Sequence, residues 1–86
     1  MPKSRVKLRK PSIRHKDLSD DNVYGYAYKE DFEIEIDPKQ SQREYLNTLL
    51  HEFFHCMLPD LSEHCVTRMA DIIADEIWKR RYRKKK

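Results

Sequence analysis

The stretch FEIEIDPKQSQREYLNTLLHEFFHCM, residues 32–57, changes its hydrophobic period partway along, and that change decides the fold class. In FEIEID, Phe32, Ile34 and Ile36 alternate with Glu33, Glu35 and Asp37, the period-two pattern of a strand with one buried face. After Asp37-Pro38 the apolar positions Leu46, Leu49, Leu50, Phe53, Phe54 and Met57 recur at helical spacing. Ser41 with Glu44 three residues later forms a capping-box pair, so a helix is expected from about Gln42 to Met57, ending before Pro59.

Working outward, Ser62 is a good N-cap for a second helix that continues through Val66, Met69, Ala70, Ile73, Ile77 and Trp78. Upstream, VYGYAY at residues 23–28 is rich in β-prone aromatics, and residues 5–9 alternate basic and apolar side chains. Asp20-Asp21-Asn22 and Lys29-Glu30-Asp31 are polar connectors, the second short enough for a hairpin. Gly25, the only glycine, marks a bulge or a close backbone approach. The expected fold class is α+β: a small sheet of about three strands followed by two helices, in a single domain spanning residues 1–86. If the first and third strands share a sheet, Arg5, Lys7 and Arg9 can face Glu33, Glu35 and Asp37 across it.

Eighty-six residues suffice for one core and leave no room for a separate substrate domain. The longest apolar runs are far too short to span a bilayer. The basic N-terminal stretch lacks the apolar segment of a secretory signal, so the expected location is the cytoplasm, with Cys56 and Cys65 as reduced thiols in the core or a cleft wall. Residues 1–16 carry seven Lys or Arg and no acid, residues 79–86 carry seven more, and residues 17–78 hold all fifteen acids against four bases. Such ends are able to touch nucleic acid, with Tyr82 and His15 as aromatic partners, but the acidic middle argues against a broad binding face.

The first helix carries H-E-x-x-H at His51, Glu52 and His55. At about 100° per residue the two histidines lie about 40° and one turn apart, so both imidazoles can reach one ion. The apolar arc of the same helix is centred roughly opposite them, which separates a core face from an imidazole face. Zinc in a catalytic site usually takes three protein ligands and keeps a fourth position for water. The short PDL connector turns the chain back, offering Glu63 as the favoured third ligand, His64 as its rival and Asp60 as a weaker choice.

These residues resemble a family: the small phage- and prophage-encoded zincin-like metallopeptidases of the gluzincin type, in which a downstream glutamate completes the His-Glu-x-x-His site. The likeness covers YLNTLLHEFFH, the connector PDLSE and VTRMADIIADEIWK, about half of the chain. It implies a minimal zincin-like domain, Zn2+ held by His51, His55 and Glu63, and Glu52 as general base. It implies a peptide or protein substrate, hydrolysed in the host cytoplasm if the protein is phage-encoded. Leu61 stands where the third histidine of the extended metzincin motif would fall, which disfavours that subclass.

On this basis the expected activity is that of a zinc metallopeptidase, with an extended peptide lying along a strand edge supplied by VYGYAY or FEIEID. Two alternatives belong to other classes: a non-catalytic module stabilised by the same metal, and a nucleic-acid-binding accessory protein using the basic termini.

Overall fold

The computed structural model describes residues 9–80. Element order is β1 (Ser12–His15), a 3-10 turn (Ser19–Asp21), β2 (Gly25–Tyr28), β3 (Glu33–Ile36), α1 (Gln42–Met57) and α2 (Glu63–Lys79). The fold is α+β, three strands followed by two helices.

FEIEID supplies the central strand. The sheet order is β1-β3-β2, with β1 parallel and β2 antiparallel to β3. Alternation along β3 puts Ile34 and Ile36 into the core with Phe32 and leaves Glu33 and Glu35 on the opposite face. Glu35 is nevertheless only 3% exposed, and a carboxylate so far from water needs partners. Arg14, its register neighbour on β1, donates to Glu35 Oε2 and also pairs with Glu33 at 2.9 Å. Tyr28 donates its hydroxyl to Glu35 Oε1 at 2.9 Å, and that bond holds the Tyr28 hydroxyl above its usual pKa.

The expected first strand at residues 5–9 lies mostly outside the described residues, Arg5 and Lys7 included. Arg9 is exposed, with its guanidinium carbon 4.7 Å from the Phe32 ring centroid. The first described strand is Ser12–His15, and the guanidinium facing Glu33 and Glu35 is that of Arg14. Phe32 closes the β2–β3 hairpin with φ of 54°, a left-handed conformation that costs an L residue about 1–2 kcal/mol. Burial of its ring in the core offsets this cost.

The helix boundaries follow from their caps. Ser41 accepts from the Glu44 N–H at 3.2 Å, and Ser62 accepts from the Cys65 N–H at 3.2 Å. Helix α1 lies between the sheet and α2, which contacts α1 and none of the strands. Tyr45, Leu49, Phe53 and Met57 pack on the sheet around buried Cys56, while Val66, Ala70 and Ala74 form the buried stripe of α2. Asn47 also donates to Asp71 at 2.7 Å between the helices. Cys56 is thus a core thiol, but Cys65 is exposed, contrary to its expected place in the core or a cleft wall. No helix among the described residues is long and apolar enough to cross a membrane.

Gly25 sets the distance between β2 and α1. A Cβ there would lie 2.8 Å from Thr48 Cγ2, 3.1 Å from the Glu35 carbonyl oxygen and 3.2 Å from Glu52 Cγ. Close backbone approach, rather than a bulge, is why glycine stands at this position. Gly25→Ala should therefore destabilise the fold by about 1–3 kcal/mol, the usual cost of overpacking. Adding Thr48→Ser removes the nearest methyl while keeping a hydroxyl for Gln40, so the double variant should recover part of the loss in urea denaturation. A fully stable Gly25→Ala would contradict the close approach.

Arg14→Ala leaves Glu35 with Tyr28 alone and should cost about 1–3 kcal/mol, the penalty for an under-paired buried charge. Combining Arg14→Ala with Glu35→Gln should cost less than the sum of the two single changes. Strict additivity in that double-mutant cycle would show that the pair does not interact.

Candidate metal centre

The imidazole face of α1 meets the first turn of α2. His51 Nε2 lies 2.7 Å from Glu63 Oε1, His55 Nε2 lies 2.9 Å from Glu63 Oε2, and the two Nε2 atoms are 3.1 Å apart. The Ser62 cap and the short connector after Pro59 explain this meeting, because they start α2 opposite the last two turns of α1. The three side chains offer ligand atoms that all lie within 4.8 Å of one another. Neither His64 nor Asp60 belongs to this cluster, and both are exposed.

The donor set fits a divalent ion such as zinc. Bonds of 2.0–2.1 Å at tetrahedral angles would separate neighbouring ligand atoms by about 3.3 Å, close to the spacing of the two imidazole nitrogens. Two imidazoles and a carboxylate also make the three-ligand complement that leaves a coordination position open. Burial pushes the pKa of His55 down, and the charges of His51 and Lys29 act the same way against the opposing pull of Glu63. That shift favours the neutral form in which an imidazole ligates metals. For Glu63, partial burial acts upward, but the charges and hydrogen bonds of His51 and His55 together outweigh it and hold the carboxyl below its ordinary range.

Glu52 stands apart from the ligand cluster. Burial raises the pKa of its carboxyl, the nearby Glu63 adds to that rise, and His51 opposes it. Its carboxylate makes no hydrogen bond among the described residues, and it opens into a cavity of about 350 Å³ shared with His51, His55 and Glu63. The opposite wall is β2, through Gly25, Tyr26 and Ala27, continued by Lys29.

Strand β2 is an edge strand. The Asp37 N–H donates to the Tyr24 carbonyl at 2.9 Å, so in the antiparallel register Tyr24, Tyr26 and Tyr28 turn their main-chain groups toward β3. Gly25 and Ala27 then turn theirs outward, toward the cavity side. FEIEID offers no such edge, because β3 is paired on both sides.

His15, considered as a nucleic-acid contact, is exposed and lies 2.6 Å from the Tyr45 hydroxyl, while Tyr82 lies outside the described residues. Lys29, read from sequence only as part of a connector, proves to line the cavity. Its signal is the alternation GYAYK, which puts Gly25, Ala27 and Lys29 on one side of the chain. Comparison with protein-family models, curated proteins and solved structures returns no match for this chain.

The convergence on Glu63 separates the candidate third ligands experimentally. Glu63→Ala should weaken zinc binding at least tenfold and remove most of any zinc-induced rise in Tm, whereas His64→Ala should change neither, as read by competition with a chromophoric chelator and by thermal melts. The opposite pattern would transfer the ligand role to His64.

Proposed function

We propose that this chain is a zinc-dependent peptidase of the small zincin-like, gluzincin type, acting on an extended peptide or protein segment. The observation that carries this function is the convergence of His51 Nε2, His55 Nε2 and the Glu63 carboxylate on one point, beside Glu52 and the open edge of β2. His51, His55 and Glu63 would hold the ion. Zinc bound there supplies Lewis acidity, lowering the pKa of a coordinated water and polarising a carbonyl.

The chain's own groups account for the remaining steps. The outward main-chain N–H and C=O groups of Gly25 and Ala27 pair with the peptide and fix its register against α1. The Glu52 carboxylate, one residue from a ligand yet outside the cluster, accepts the proton of the attacking water and passes it to the departing amine nitrogen. Burial of Glu52 favours its protonated form and so favours taking up that proton. We assign the protein to the cytoplasm, where Cys56 and Cys65 stay reduced.

A second function has its own support. The cluster joins α2 to α1, so an ion held there would fasten the two helices even in a protein that catalyses nothing. Glu52 separates the two possibilities, because a structural ion has no use for it. With a mixed fluorogenic peptide library, the zinc-loaded parent should cleave some members. Glu52→Gln should keep full zinc and an unchanged Tm while losing about 10²–10⁴-fold or more in rate. A zinc-loaded parent that cleaves nothing, or a Glu52→Gln variant as fast as the parent, would leave the metal-stabilised module as the function.

A further inference from the structure

The β2 wall of the cavity is formed by Gly25, Tyr26 and Ala27, and the exposed Lys29, the residue that follows the strand, continues it with a long cation. Gly25 and Ala27 face α1 and the core, so a bound chain would run along their outward main-chain groups, and Lys29 stands at the end of that edge. Strand β2 spans about 10 Å from Gly25 to Tyr28 at about 3.3 Å per residue, so Lys29, the first residue of the turn, stands roughly three to four residues of a bound peptide from Gly25. Its ammonium forms no hydrogen bond or ion pair among the described residues, although the same cavity holds two carboxylates, Glu52 and Glu63. Glu63 is committed to the histidines and Glu52 lies beside Gly25. A lysine that shares a cavity with acids and pairs with neither keeps its three N–H donors for an incoming group.

We infer that Lys29 is a specificity-determining residue that binds a carboxylate of the substrate, selecting acidic peptide segments over neutral ones. This rests on the peptidase function proposed above. The electrostatics of the filled site agree with it. The two positive charges of a divalent ion would at least balance Glu63 and Glu52 whether or not Glu52 is ionised, so Lys29 makes the cavity positive overall and an anionic ligand is favoured. A carboxylate on an ammonium is also a charge-assisted hydrogen bond, stronger than the same contact with a neutral amide. The carboxylate has two possible origins, an acidic side chain or the free C-terminus of the peptide.

The test uses zinc-loaded full-length protein and chelating probes, with binding measured by calorimetry rather than turnover. One pair of N-acetyl tripeptide hydroxamates differs by Glu against Gln, and one pair of malonyl-dipeptide hydroxamates differs by a free C-terminal carboxylate against its amide. In at least one pair the carboxylate form should bind about tenfold tighter. Lys29→Gln should abolish that preference without weakening the neutral probes, Lys29→Arg should retain it, and Lys39→Gln, which changes a lysine paired with Asp17, should leave it intact. A preference in the first pair assigns the carboxylate to a side chain, and one in the second assigns it to the C-terminus. Tight binding of all probes with no preference in either pair, or a preference that survives Lys29→Gln, would overturn the role of Lys29. Failure of even the neutral chelators to bind would overturn the metal site together with it.

Discussion

The contact on which the molecule depends is the approach of β2 to α1 at Gly25, where even a methyl group would meet Thr48, Glu52 and the Glu35 carbonyl at once. Because no side chain intervenes, the helix that carries His51, Glu52 and His55 lies against the edge strand rather than a side chain's width away. Partial burial raises the pKa of Glu52, which opens into the same cavity as the outward main-chain groups of Gly25 and Ala27. A wider separation would detach Glu52 from the open edge of β2.

Helix α1 therefore serves three neighbours. One side packs on Ile34 and Ile36 of the central strand, another receives the small-residue stripe of α2, and the remaining sector carries the histidines. Among the described elements α2 contacts α1 and no strand, and the Glu63 contact with both histidines is a polar link between the two helices beside Asn47 and Asp71. Glu63 is well placed for two reasons: the Ser62 cap starts the helix there, and an acid in the first turn is favoured by the helix dipole. Local helix chemistry and the candidate metal site thus call for the same residue.

Much of this was legible because the signals are local. The period change after Asp37, the Ser41–Glu44 box and the Ser62 cap place both helices, and the one-turn spacing of His51 and His55 depends on helix geometry alone. What was not legible depends on distant partners. Strand β1 has one apolar residue, Ile13, and follows Pro11, so nothing in its own composition outweighs the better alternation at residues 5–9. Its strand character comes from parallel pairing with β3 and from Arg14 reaching two acids of that strand. Phe32 in a left-handed conformation is equally unreadable, because only the core it fills makes that conformation tolerable. Lys29 looked like ordinary turn chemistry, since a connector residue and a cavity wall have the same sequence signature until the strand is docked on its helix.

The central claim is that two imidazoles and one carboxylate hold the ion, and X-ray absorption at the zinc edge of the loaded protein tests it most directly. The account predicts a shell of nitrogen and oxygen scatterers at about 2.0–2.1 Å with the outer-shell pattern of two imidazoles and no sulfur. A sulfur scatterer at about 2.3 Å, which would bring the exposed Cys65 thiol onto the metal, or a shell of oxygens without imidazole, would contradict it.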